Sequence, residues 1–277
     1  MSDLNLTTFF AYVRKSPFGG RLTQSQIDGL NAIIDAFYEA GQENLKYLAY
    51  ILATAFHETG GKMQPVREGF ASTDAGARKA VAARKYAAPD PVTKQVYYGR
   101  GLVQITWAEN YKAMGKILGL SLYEHPDIAL QPDVSARILI EGMLRGNSGR
   151  GDFTGKCLED YFAGDKEDPV GARRIINGND KAQLIATYYK AFLESLKHAQ
   201  SAEASVEIDE RDAAPDAPNL MKDKTTLGTI SAVAGSGAVG ALTSINSPWA
   251  FAAFLVLAIG AVLFLTGRLQ IVKKAGA

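Results

Sequence analysis

Apolar residues recur at helical spacing through most of the first 200 positions of the chain. Thr23 followed three residues later by Gln26 predicts a capping box. It opens a helix with Ile27, Leu30, Ile33, Ile34 and Phe37 on one face, closed by Gly41. Asn44 is placed to cap a second helix, whose Leu45, Leu48, Ile51, Leu52, Ala55 and Phe56 form a wide apolar stripe. Tyr47 and Tyr50 broaden the stripe, so this helix is expected at the centre of the core. Gly60-Gly61 stops it, because glycine takes the left-handed cap conformation without steric cost. Further helices are predicted near 110–118, 133–144, 169–176 and 182–198. Strand signals are few, the best at 96–98 and 102–107. In the second, alternation puts Gln104 and Thr106 on one face and Val103, Ile105 and Trp107 on the other.

The pattern changes after about residue 200. From Ser201 to Asn219 six acids face Arg211 alone, with Pro215 and Pro218 and no aromatic residue. Such a stretch buries too little apolar surface to offset its ordering entropy, so 201–224 reads as an acidic flexible linker. Positions 225–267 then carry no charge at all. Within them 249–266 is rich in Leu, Val, Phe, Ile and Ala, and as a helix it would reach ~27 Å, close to a ~30 Å hydrocarbon core. Pro248 suits its start, Trp249 an interfacial anchor, and Arg268, Lys273 and Lys274 a polar exit. The glycine-rich segment 227–245 is a weaker second span that would complete a helical hairpin through Asn246-Ser247-Pro248. The expected organisation is a domain over 1–200, the linker, and a membrane segment over 225–277 with the lipid bilayer as partner. Lys and Arg flank the span too evenly to orient it. Residues 4–13 lack the pattern of a signal peptide, interrupted as they are by Asn5, Thr7 and Thr8.

Composition narrows the chemistry. The 277 residues carry 30 Lys and Arg against 29 Asp and Glu, a net charge of +1, which speaks against a phosphate-driven nucleic-acid binder. One cysteine, Cys157, excludes an intramolecular disulfide framework and a cysteine-rich metal site. His57, His125 and His198 are too scattered for a zinc cluster, and no metal or cofactor is expected.

The stretch most suggestive of catalysis is Ala55-Phe56-His57-Glu58-Thr59-Gly60-Gly61. It puts an acid at the end of a strongly apolar helix. Burial and the negative end of a helix dipole both favour a protonated carboxyl, the state of a general acid. From local sequence alone Glu58 reads as readily as a solvent-facing acid. Zinc binding by His-Glu-x-x-His fails, since position 61 is glycine. A second acid, Glu68, lies beyond the glycines, and two carboxyls across a cleft are what glycoside hydrolysis requires. Asp74 competes for that second role. In Tyr98-Gly99-Arg100-Gly101 and Gln104-Ile105-Thr106-Trp107, a glycine turn leads to amide and hydroxyl groups beside an aromatic ring, a combination suited to sugars. A plain hairpin is the alternative.

These motifs, with Asn110-Tyr111, Pro126-Asp127 and Arg174-Ile175-Ile176-Asn177-Gly178 following in order, resemble glycoside hydrolase family 19, the chitinases and related phage-type endolysins. The resemblance runs from about Leu30 to Leu196. It implies a mainly helical (α+β), lysozyme-like, two-lobed domain with a sugar-binding cleft. By it Glu58 matches the general acid, Glu68 the general base, and Thr106 a hydroxyl that holds the attacking water. Tyr98, Gln104, Asn110 and Asn177 match sugar-contacting positions, Arg174 a charged cleft residue that orients the acids, and His57 and Trp107 join the cleft beside them. The family inverts the anomeric centre, which implies carboxyls roughly 6.5–9.5 Å apart. Plant members carry disulfides, which this chain lacks, and the short Glu58–Glu68 spacing fits the bacterial and phage branch better. The expectation is a membrane-anchored, endolysin-like enzyme cutting β-1,4 bonds in bacterial peptidoglycan. The rivals are a chitinase and a non-catalytic, membrane-tethered glycan-binding or virion structural protein.

Overall fold

Eight α-helices, four short 3-10 segments and one minimal β-ladder are found in residues 4–201, the part of the chain described by the computed structural model. The linker and the uncharged segments at 227–245 and 249–266 lie outside the described residues. Among the described residues, no helix is long and apolar enough to cross a membrane.

The predicted caps are in place. Thr23 accepts from the Gln26 amide while the Gln26 side chain accepts from the Thr23 amide, opening α2 (Gln24–Glu39). Asn44 caps α3 (Leu45–Glu58) through the Lys46 amide. Leu48, Ala49, Tyr50, Ile51, Leu52 and Ala53 of α3 are wholly buried, so this helix runs through the core. Burying each large apolar side chain contributes roughly 1.5–3 kcal/mol before entropy is counted. α8 (Ala182–Ser201) packs along α3 and against α1 (Leu6–Lys15), and α2 packs on α6 (Pro132–Met143).

The apolar pattern does not reveal α1. Asn5, which interrupts the apolar run, is its N-cap and accepts from the Thr8 amide at 3.0 Å. The remaining helices are α4 (Asp74–Ala80), α5 (Ala108–Leu118) and the single turn α7 (Glu159–Phe162). The helix expected at 169–176 is a 3-10 segment, Gly171–Ile175.

The strand expectations are corrected. The ladder pairs β1 (Val66–Arg67) with β2 (Arg100–Gly101), antiparallel, with Val66 opposite Gly101 and Arg67 opposite Arg100. Residues 102–107 do not extend. Arg100 and Ile105 exchange backbone hydrogen bonds of 3.2 and 3.0 Å across a tight turn, and Gln104 adopts a φ of 57°. A left-handed residue ends the two-residue alternation, so Gln104 and Thr106 share no strand face. A small second core of Ala77, Val81, Val96 and Tyr98 sits behind this ladder, apart from the main one.

Candidate active site

Glu58 is the last residue of α3, and its position follows from how that helix ends. The Gly60 amide donates to the His57 carbonyl at 3.1 Å and the Gly61 amide to the Phe56 carbonyl at 2.7 Å. This is the paired closure in which left-handed glycines satisfy the final carbonyls, with φ of 59° and 78° here. Thr59, fully buried, donates its hydroxyl to the Ala55 carbonyl and accepts from the Met63 amide, so the turn is tied on both sides. Arg173 Nη1 donates to Glu58 Oε1 at 2.6 Å, and Arg173 Nε to the Asp180 carbonyl at 3.0 Å. The guanidinium is bonded to Oε1 alone. His57 is half-buried, and burial holds its imidazole below the usual range; Glu58 pulls it back up and Arg173 pushes it further down.

Glu68 follows β1 directly. Its amide donates to the Gly99 carbonyl at 2.7 Å, and its Oε2 accepts from the Gly99 amide at 2.8 Å. The Tyr86 hydroxyl donates to Oε1 at 2.6 Å. Burial and that hydrogen bond push the Tyr86 phenol up to about 12, so it remains a donor throughout the physiological range. Gly99 is glycine for reasons of space. A Cβ there would lie 2.7 Å from Gln104 Oε1 and 3.2 Å from Glu68 Oε2.

The nine residues between the two acids are anchored to α2, by Gln26 Nε2 on the Gly61 carbonyl and Gln64 Nε2 on the Ser25 carbonyl. The two acid-bearing segments also meet through an aromatic ring. Phe70, two residues past Glu68, lies against Gly60, two residues past Glu58, where a Cβ would approach the ring at 3.6 Å. Phe70 is 55% exposed and Trp107 44%, and both hold a positive φ, of 54° and 70°. Bulky residues in that region are strained. Met63 and Gln104 add two more such residues to the same neighbourhood. Trp107 packs edge-on against Tyr86 at 5.3 Å, which extends the exposed aromatic surface to the Glu68 side.

Of the other sequence-selected residues, Tyr98, Gln104 and Asn110 have partners within the protein, while Asn177 and Arg174 stand exposed. Tyr98 is fully buried, with the Arg100 guanidinium 3.6 Å over its ring and its hydroxyl donated to Asp74 Oδ1, so it offers no surface to a sugar. Gln104 Nε2 donates to the Val66 and Gly101 carbonyls and braces the ladder. Asn110 Nδ2 donates to the Thr106 carbonyl at 2.8 Å, at the start of α5. Asn177 is exposed, held through its backbone to Arg173. Arg174 is exposed as well, and the arginine that reaches Glu58 is its neighbour, Arg173. A short 3-10 element decides which of two adjacent arginines turns inward, and the pattern read as an α-helix could not. Asp74 accepts from the Tyr98 hydroxyl on one oxygen and from Arg78 Nε on the other, so both its oxygens are engaged. Tyr86 and Phe70 do not stand out in the sequence because neither belongs to a periodic run. Among the described residues no group of His, Cys, Asp and Glu converges as a metal site.

Comparison with known proteins bears on the same residues. Residues 27–140 match the family model for chitinase class I, glycoside hydrolase family 19. That span includes Glu58 and Glu68, and Arg173 falls beyond it. An Arabidopsis thaliana endochitinase is 46% identical over 63 residues, covering 21% of this chain and 22% of its own. A second endochitinase of that plant is 58% identical over 40 residues, 14% of each chain. The chain thus spans about a fifth or less of the length of the curated relatives it matches. Among solved structures, a bacterial family 19 chitinase is 22% identical, with a TM-score of 0.44 over 70% of this chain and 95% of its own. Chitinase C from Streptomyces griseus is 22% identical, with a TM-score of 0.45 over 73% of this chain and 79% of its own.

Proposed function

We propose that the domain hydrolyses β-1,4 bonds in chitin-type polymers of N-acetylglucosamine, with Glu58 as general acid and Glu68 as general base. The observation that carries this reading is the unequal treatment of the two carboxyls. Glu68 accepts a hydrogen bond on each oxygen, which fixes the orientation of the carboxylate that would receive the proton of the attacking water. Glu58 is held through one oxygen only, which leaves the other to protonate a leaving glycosidic oxygen. The Thr106 hydroxyl would steady the attacking water, and direct displacement by water would invert the anomeric centre. Phe70 and Trp107 would stack on the apolar faces of sugar rings, as exposed aromatic rings with fixed backbones are suited to do.

The match of residues 27–140 to the chitinase class I model supports chitin as the substrate class. Peptidoglycan cleavage at a membrane, drawn from the uncharged tail, rests on residues outside those described and is the second reading. Assaying the full chain on N-acetylglucosamine oligomers and on purified peptidoglycan side by side separates the two. Cleavage of the oligomers is expected; cleavage of peptidoglycan alone would overturn the chitin reading. Failure to cut either, with sugar binding retained, would favour a non-catalytic glycan-binding module.

A further inference from the structure

We propose that Asp127 is a positioning residue for Glu68, fixing the strand pair that carries this acid by holding Arg67 with one carboxylate oxygen and Arg100 with the other. The inference rests on the reading of Glu68 as the base. Arg67 and Arg100 are direct partners across the ladder, and like charges in that position oppose strand pairing. Asp127 removes the conflict. Its Oδ2 accepts from Arg67 Nη2 at 2.8 Å and its Oδ1 from Arg100 Nε at 2.7 Å.

The ladder needs this support. It is two residues long on each strand, far short of what holds a hairpin by itself. Arg67 immediately precedes Glu68, and Arg100 immediately follows Gly99, whose amide is the backbone donor to Glu68 Oε2. A shift of either arginine moves one half of that contact.

The two arginines depend on Asp127 unequally. Arg100 is 1% exposed and has other acceptors, the Val96 and Tyr98 carbonyls and the Tyr111 hydroxyl, with Asp74 Oδ1 3.7 Å away. Arg67 has a buried Nε with no hydrogen-bond partner, and its guanidinium is held by Asp127 and, beside it, by the Tyr98 hydroxyl. Burial works against the Asp127 charge, but hydrogen bonds from Arg100 and Arg67 outweigh it and hold the carboxyl below its usual range. Asp127 comes from the 3-10 segment Pro126–Leu130, so the clamp ties the ladder to a third element.

A double-mutant cycle on the full chain tests this, with kcat and KM measured on an N-acetylglucosamine hexamer. Glu68→Gln alone should lower kcat about 100-fold or more, as loss of a general base does. Asp127→Asn alone should lower kcat on the order of 10-fold with KM changed less than about threefold, since a positioning fault acts on the chemical step. In the Glu68→Gln background, Asp127→Asn should cost less than about twofold more, because residues that act as a unit are not additive. Additive losses would overturn the proposal while leaving the base assignment intact. A Glu68→Gln enzyme as active as wild type would overturn that assignment and the proposal with it. Circular dichroism checks the folding of each variant. If Asp127→Asn fails to fold, Arg67→Gln, at the less buried end of the clamp, is held to the same non-additive pattern, with additivity again contradicting it.

Discussion

Arg173 Nη1 lies 2.6 Å from Glu58 Oε1, joining residues 115 positions apart in the chain. The arginine is 3% exposed and the glutamate side chain 18%, so the pair is largely shielded from water. Removing one member of such a pair strands the other charge, which costs about 3–5 kcal/mol, far more than the pair itself contributes. Arg173→Met should therefore lower unfolding stability in urea by about that amount and abolish turnover. A stability loss under about 1 kcal/mol would show the contact to be an exposed one, of the kind that contributes little.

Gly99 carries a steric prediction. Its missing side chain leaves room for Gln104 Oε1 and Glu68 Oε2, which a Cβ would meet at 2.7 and 3.2 Å. Gly99→Ala should cost about 1–3 kcal/mol as an overpacked site and lower kcat more than it changes KM. Calorimetry and steady-state kinetics on one preparation would check both halves.

Tyr86→Phe removes the hydroxyl bonded to Glu68 Oε1 and keeps the ring against Trp107. A hydrogen bond to a charged group is worth about 1.5–3 kcal/mol, so kcat/KM should fall roughly 10- to 100-fold. In the wild type, the phenol holds its proton up to about 12, so Tyr86 should add no alkaline limb to the rate profile below pH ~10. An unchanged kcat/KM in the variant would remove Tyr86 from the account.

His57 makes stability depend on pH. Burial lowers its folded-state pKa from the ordinary value near ~6.5, so the unfolded chain binds a proton first as pH falls. Its contribution is fully present above ~6.5 and declines as pH drops from there through the lowered folded value. His57→Gln should flatten the denaturant midpoint below about pH 6.5 relative to wild type. Parallel slopes for the two proteins would contradict this.

The parts of the fold legible in the sequence are those built from local rules. α2 and α3 pair an apolar stripe with an explicit cap, and Gly60-Gly61 announces both the end of α3 and the place of Glu58. Asn5 has the same logic at the start of α1, hidden because a cap inside an apolar run reads as an interruption. The ladder was illegible for another reason. Two-residue strands have no period, and the left-handed Gln104 is imposed by its contacts with Val66 and Gly101. In the site, both acids stand out by position, whereas their partners do not. Arg173, Tyr86 and Asp127 reach them across 115, 18 and, through Arg100, 27 positions respectively. Such pairings follow from tertiary packing alone.

In the proposed reaction Glu58 and Glu68 act together, by direct displacement with water. Proton NMR of the first products from an N-acetylglucosamine hexamer, recorded before mutarotation, tests it most directly. Two carboxyls acting as acid and base predict that the new reducing ends appear first as the α-anomer, opposite to the β-linkage cut. Initial formation of the β-anomer would mean a retained configuration and would contradict the assignment of Glu68 as a base acting on water.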